Sequence, residues 1–121
     1  MGYYSDVAIS MYENDYKKLC KEAESADEEV RYFMNQAAFQ ETKLSDGSAI
    51  TLIWDCVKWR DDYKDVKFVE DFLKTISDYS FKRIGEATDD VEERLGGDDS
   101  YELGDIVHIE RCFCVDGEWY V

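Results

Sequence analysis

A turn signal and the most strand-like run of the chain meet in residues 46–59, DGSAITLIWDCVKW. Asp46-Gly47 is a pair that readily adopts the positive φ angles of a tight hairpin turn. The run after it is rich in β-branched and aromatic residues, the types enriched in strands. A shorter run, Phe39 to Leu44, precedes the turn. The sequence therefore predicts a β-hairpin with arms at 39–44 and 49–59.

Periodicity predicts further elements on both sides of this hairpin. Alternating apolar residues indicate strands, and apolar residues spaced three or four apart indicate helices. In chain order, the predicted elements are a strand over 4–12, helical segments over 16–23 and 30–37, the hairpin, a helix over 66–77, and strands over 79–86, 105–115 and 118–121. The order is β-α-(α)-β-β-α-β-β-β.

This order predicts an α+β fold. We expect one mostly antiparallel sheet with helices packed on one face, built as a ferredoxin-like core with extra strands. The 121 residues suit a single domain over 1–121, and the absence of proline argues against an internal linker. The hydrophobic content of 45% is enough for a packed core.

The segments that direct proteins to membranes are not predicted. The chain has no apolar run near 18 residues, and its start lacks a basic region followed by an apolar stretch. We expect the protein to remain in the cytoplasm of a host cell. Its four cysteines are expected to be reduced there.

The net charge restricts the choice of partner. Acidic residues outnumber basic ones by 29 to 14, which gives a formal net charge of -15. Nucleic acids and anionic membrane surfaces both attract Lys and Arg, so direct binding to either is disfavoured. A basic protein surface, or a protein groove built for nucleic acid, is favoured instead.

More than half of this charge lies in residues 86–105, which we call the acidic segment. Only Arg94 opposes its nine acids, so twenty residues carry eight net negative charges. Tyr101 lies within the segment and is a residue type common at interface hot spots. The acids are Glu86, Asp89, Asp90, Glu92, Glu93, Asp98, Asp99, Glu102 and Asp105.

Three interpretations of the acidic segment compete. In the first, it is a solvated loop or short helix that keeps the protein soluble. In the second, it is a loop that binds Ca²⁺ or Mg²⁺. In the third, it is a surface that mimics phosphates and occupies the Lys and Arg sites of a nucleic-acid-binding protein. The segment does not meet the EF-hand pattern, which disfavours the metal loop.

Other candidate chemistry is weaker. His108, Cys112 and Cys114 share one side of the predicted strand 105–115, but same-face positions lie about 7 Å apart, which is awkward for one tetrahedral zinc ion. No Gly-rich phosphate loop or complete nucleophile–base set is present. Trp54, Trp59 and Tyr63 suggest a stacking platform, although core packing is favoured at this charge. We therefore predict no catalytic residues, no metal and no cofactor.

Several short pieces of the chain resemble small proteins of bacteriophages and prophages. They are Met1-Gly2-Tyr3-Tyr4-Ser5, Lys58-Trp59, and Gly85-Glu86 followed by Asp89-Asp90. In size, acidity and lack of a catalytic motif the chain is also similar to the anti-CRISPR and related anti-defence inhibitors that phages carry. Several of those act as nucleic acid mimics. The resemblance implies inhibition by binding.

The favoured hypothesis is a non-enzymatic, phage-type inhibitor. It binds a basic, nucleic-acid-handling host protein, such as a CRISPR effector, through the carboxylates and Tyr101 of the acidic segment. The first alternative is a structural or assembly module, such as a homodimer joined through exposed strand edges and aromatic residues. The second is a small metal-dependent enzyme.

Overall fold

The computed structural model describes residues 3–45, 47–87, 89–97, 101–109, 113–115 and 118–120. In chain order its elements are β1 (Ser5–Tyr12), α1 (Glu13–Glu24), α2 (Glu28–Gln36), β2 (Ala38–Leu44), β3 (Gly47–Val57), α3 (Lys64–Leu73), β4 (Tyr79–Gly85), β5 (Val91–Gly96), α4 (Tyr101–Gly104), β6 (Phe113–Val115) and β7 (Glu118–Tyr120). The predicted hairpin is present as β2 and β3, and Leu44 pairs with Gly47 across its turn.

Five strands form one sheet in the order β2-β3-β1-β4-β5, and each neighbouring pair is antiparallel. Because β3 lies between β1 and β2, the first crossover is a split β-α-β unit, as in a ferredoxin-like core. β5 extends that core by one strand at the edge, and β6 and β7 form a separate two-stranded sheet. The predicted α+β fold is confirmed.

The hydrophobic core lies between one face of this sheet and helices α1 to α3. Alternation along β1 places Val7, Ile9 and Met11 on that face, which we call the core face. The cross-strand partners of these residues are Trp54, Leu52 and Ile50 of β3. Phe81 of β4 joins them, and the helices contribute Leu19, Phe33, Val66, Val69, Phe72 and Leu73.

The residues at the centre of the opposite face of the sheet are small and polar. The hydroxyls of Ser10 and Thr51 lie 2.8 Å apart and are buried, and Ser80 is buried beside them. α4 packs against this face with Leu103 fully buried. The prediction of helices on one face therefore holds for α1 to α3, whereas α4 covers the other side.

One predicted strand differs near the C-terminus. The predicted strand over 105–115 is wrong for residues 105–109, which form a turn and coil after α4, and strand structure is described only at 113–115. The chain folds back there because Lys82 Nζ donates hydrogen bonds to the carbonyl oxygens of Gly104 and Val107. Residues 110–112 lie outside the described part.

A β-bulge interrupts β3 close to its end, at Cys56. Ser5 pairs with Val57 and Val7 with Trp54, so β3 carries one extra residue at this point. Cys56 adopts a φ of 55°, in the left-handed region. Its N–H donates to Asp6 Oδ1 at 2.9 Å, which satisfies a donor that the interrupted ladder leaves free.

We expect Cys56→Gly to stabilise the protein by about 0.5 kcal/mol. The strain that a Cβ causes in the left-handed conformation is larger than the entropic cost of ordering a glycine. Cys56→Ala is the matched control. It keeps the Cβ and removes only an exposed thiol, so its urea midpoint should equal that of the wild type. A glycine variant no more stable than the alanine variant would contradict the expectation.

Candidate partner-binding surface

The fold distributes the acidic segment over the β4–β5 turn, β5 and the α4 region. Glu86, Asp89 and Asp90 lie in and next to the turn that joins β4 to β5, whereas Glu102 and Asp105 lie in and after α4. β5 runs between these two groups. Its six residues span about 17 Å at the rise of an antiparallel strand. The segment is therefore not a single loop, because a strand forms its middle.

β5 directs its side chains alternately to the two faces of the sheet. Glu92 and Arg94 pair with Arg83 and Phe81 and so share the core face. Val91, Glu93 and Leu95 point to the opposite side. The sequence analysis did not predict β5, because charged residues lie on both of its faces and hide the alternation.

Asp90 is bound within the protein. Its Oδ1 accepts a hydrogen bond from Arg83 Nη2 at 2.7 Å, and its Oδ2 accepts one from Arg83 Nη1 at 3.2 Å. The Tyr3 hydroxyl donates to the same carboxylate. The Arg83 hydrogen bonds, followed by the one from Tyr3, lower the pKa of Asp90 from its ordinary value of 3.8. Its structural role is to hold the β4–β5 turn against the start of β1.

Glu92 continues this network along the core face. Glu92 Oε1 accepts from Arg83 Nε at 3.2 Å, and Glu92 Oε2 lies 3.0 Å from Arg94 Nε. Arg94 Nη2 donates to both carboxylate oxygens of Glu70 on α3, at 2.7 and 3.0 Å. The Arg94 guanidinium also lies 3.9 Å from the centre of the Phe81 ring. These contacts join β5 to the helical layer, and they engage the carboxylate of Glu92.

Among the described residues of the acidic segment, five carboxylates are exposed, and we call them the β5 rim: Glu86, Asp89, Glu93, Glu102 and Asp105. Glu86 accepts a hydrogen bond from the backbone N–H of Tyr4 at 3.0 Å, and Glu102 accepts a long one from the Tyr12 hydroxyl at 3.5 Å. Both donors are neutral, so these contacts leave the negative charge in place.

Lys82 lies beside the rim, but its ammonium is held mainly by backbone carbonyl oxygens. Its side chain is only 12% exposed, and its ammonium lies 3.9 Å from Glu93. The shorter contact of 2.6 Å is with the Gly104 carbonyl. Lys82, Glu93 and Asp105 line one depression of about 210 Å³. Arg94 also lines this depression, but its guanidinium is held by Glu70 and Glu92, so neither cation is committed to Asp105.

The side chains of three predicted site residues lie outside the described part of the chain. Asp98 and Asp99 lie outside the described residues. Tyr101 is the first residue of α4, and its side chain is likewise outside the described part.

The alternative chemistries find little support in the described residues. No group of three His, Cys, Asp or Glu side chains there is arranged to hold a metal ion. His108 is exposed and lies in coil. The predicted strand that was to place His108 on the same side as Cys112 and Cys114 is therefore wrong at His108. Cys112 lies outside the described residues. None of the described helices has the length and apolar character needed to cross a bilayer.

The aromatic residues of the suggested stacking platform serve mainly in packing. Trp54 is buried and stacks on Phe33, with ring centres 4.9 Å apart. Trp59 contacts the rings of Phe33, Trp54 and Phe81 at 5.6 to 5.8 Å. Tyr63 stays at the surface beneath the Arg60 guanidinium. The core-packing interpretation therefore accounts for both tryptophans.

A second group of exposed carboxylates was not singled out from the sequence. It lies at the junction of α1 and α2 and comprises Glu22, Glu24, Asp27, Glu28 and Glu29. Asp27 forms an ion pair with Lys64. Five acids in eight residues are a visible signal, but Lys21 and Arg31 flank them in the sequence. This surface is useful as a comparison for the rim because it has similar charge on a different part of the fold.

Comparison of the chain with protein-family models, with curated proteins and with solved structures gave no match.

Proposed function

We propose that this protein is an inhibitor that binds a basic, nucleic-acid-handling protein through the β5 rim and blocks it by occupancy, without turnover. The target class is that of CRISPR effectors and related host defence proteins, whose grooves hold nucleic acid on Lys and Arg side chains. The main support is that the described partners of the rim carboxylates are neutral hydrogen-bond donors and, for Glu93, the partly buried Lys82.

The electrostatics favour a protein groove as the target. A groove lined with one sign of charge concentrates field lines and accelerates the arrival of an oppositely charged partner. Phosphates on the nucleic acid itself would be repelled by the same carboxylates. The rim therefore suits competition with nucleic acid for a basic site.

The apolar residues of β5 add a second kind of contact. Val91 and Leu95 are exposed large hydrophobic residues that flank Glu93 on the same side of the strand. Interfaces combine apolar anchors with a charged surround, in which charge sets the association rate and buried apolar area slows dissociation. A basic groove with small apolar patches between its cations would match this arrangement.

The experiment compares two variants that each remove four negative charges. The rim variant carries Glu86→Gln, Asp89→Asn, Glu93→Gln and Asp105→Asn. The control carries Glu22→Gln, Glu24→Gln, Glu28→Gln and Glu29→Gln at the α1–α2 junction. Each protein is titrated into a panel of purified, guide-loaded CRISPR effectors. Displacement of a fluorescent target duplex reports occupancy, and cleavage of that duplex reports inhibition.

We expect the rim variant to bind at least about tenfold more weakly than the wild type, with the control variant close to the wild type. Wild-type affinity should also fall as salt rises, because the interacting charges are exposed. Equal weakening by both variants would show that net charge, and not the rim, is responsible. Inhibition by the rim variant at wild-type concentrations would contradict the proposal.

A further inference from the structure

We infer that β2 is a self-association edge, where a second copy of this chain adds its own β2 in antiparallel register about a two-fold axis through Thr42. This surface lies at the opposite edge of the sheet from β5. The inference therefore goes beyond the proposed function and does not depend on it.

β2 has an open outer edge. It is the terminal strand of the sheet and, within the described residues, it pairs only with β3. Residues 38–41 are all exposed. In an antiparallel ladder, alternate residues of an edge strand direct their N–H and C=O groups away from the sheet, so β2 offers a row of free donors and acceptors. Another extended strand is the natural complement to such a row.

The charges on β2 are self-complementary in one register. Glu41 and Lys43 lie on the same side of the strand, 3.4 Å apart at their charged atoms, with side chains 40% and 78% exposed. A two-fold axis at Thr42 places Glu41 of each copy directly opposite Lys43 of the other. The two in-strand ion pairs then join two cross-strand ion pairs in a ring of alternating charge, an arrangement that stabilises antiparallel strand pairs.

Neighbouring registers have less favourable cross-strand charge pairs. A strand slip of one residue reverses the faces, so the registers that keep both cores on one side of the joined sheet are centred on a residue. An axis at Glu41 sets two carboxylates opposite each other, and an axis at Lys43 sets two ammonium groups opposite each other. An axis at Gln40 places Glu41 opposite Phe39 and forms no cross-strand ion pair. Thr42 is therefore the favoured centre.

Net charge explains why a second copy would use β2 and not β5. Two chains of charge -15 repel each other, and at physiological salt this repulsion is screened over about 8 Å. β2 carries one acid and one base, whereas the β5 rim is uniformly acidic. Phe39, 56% exposed beside the same edge and packed on Tyr16, supplies apolar surface for a second copy to cover.

Sedimentation velocity over a concentration series tests this inference with the full chain. We expect the wild type to dimerise weakly, with dimer present at about 100 μM, as fits a small single-strand interface. Glu41→Lys alone and Lys43→Glu alone should each weaken the dimer about tenfold, because each places like charges opposite across the axis. Both side chains are exposed, so circular dichroism should show unchanged folding.

Two combinations distinguish this register from a general charge effect. The double variant Glu41→Lys with Lys43→Glu should recover wild-type association, and an equimolar mixture of the two single variants should form a heterodimer. Glu93→Lys on β5 is the control and should leave association unchanged. A wild type that stays monomeric at the highest concentration, single variants that dimerise normally, or a dimer that only Glu93→Lys disrupts would each overturn the inference.

Discussion

Trp54→Ala is expected to lower the free energy of unfolding by about 3–5 kcal/mol, the range for truncating a buried large aromatic residue. Trp54 is 1% exposed at the centre of the core face. It packs on Phe33 and Trp59, and its indole Nε1 donates to the Phe33 carbonyl oxygen at 2.9 Å. The variant therefore leaves a cavity and removes the side-chain donor to a backbone acceptor on α2. Urea denaturation followed by far-UV circular dichroism measures the loss.

Two comparison variants separate these contributions. Trp54→Phe keeps an aromatic ring against Phe33 and removes the N–H, so its loss should be intermediate. Tyr32→Ala truncates an exposed aromatic residue of α2 and should change stability by less than about 0.5 kcal/mol. If Trp54→Ala and Tyr32→Ala had similar urea midpoints, the assignment of Trp54 to the core would be contradicted.

Arg83→Met is expected to cost about 2 kcal/mol near neutral pH, because the variant keeps the aliphatic stem but removes the charged hydrogen bonds that Asp90 and Glu92 receive from the guanidinium. The Arg83 side chain is 17% exposed. It donates to Asp90, Glu92 and the Ser5 hydroxyl. The variant should also loosen the β4–β5 turn, which amide hydrogen exchange in residues 84–91 would detect.

The pH dependence of this loss has a definite sign. Arg83 lowers the pKa of Asp90 below its ordinary value of 3.8. A carboxyl group with a lowered pKa in the folded state stabilises that state above its ordinary pKa, and this contribution disappears as the pH falls through the lowered value. The stability difference between the wild type and Arg83→Met should therefore be largest near neutral pH and should narrow in acid below about pH 4.

Arg60→Met is the matched control for Arg83. Arg60 forms an ion pair with Asp62 at 3.1 Å, but both side chains are about 60% exposed. Exposed pairs of this kind contribute about 0–1 kcal/mol. A loss for Arg60→Met as large as that for Arg83→Met, or a difference for Arg83→Met that is independent of pH, would contradict the structural role given to the Arg83 network.

Local patterns predicted much of the fold because the signals are contained in neighbouring residues. The hairpin follows from Asp46-Gly47 and the run beside it, and α3 follows from apolar spacing over Val66, Val69, Phe72 and Leu73. β5 was missed because its core-face residues, Glu92 and Arg94, are charged. They occupy that face only because Arg83 and Glu70 pair with them there.

The predicted strand over 105–115 was wrong at 105–109 for a related reason. Val107 and Ile109 alternate as in a strand, and nothing near them in the sequence indicates otherwise. The deciding contacts are those of the Lys82 ammonium with the Gly104 and Val107 carbonyls. Lys82 lies more than twenty residues upstream, so periodicity within 105–115 contains no information about it.

The sequence by itself determined how much negative charge this protein carries and that its highest density lies in residues 86–105. Only the tertiary structure decided which of these carboxylates face solvent. Asp90 and Glu92 are engaged because the sheet brings Arg83 beside them, and Tyr3 and Arg94 complete their contacts. The β5 rim keeps its negative charge because its described partners are neutral donors or a lysine already held by carbonyl oxygens. The physical reason is that charge is a property of each residue, whereas neutralisation depends on groups that folding brings together from distant parts of the chain.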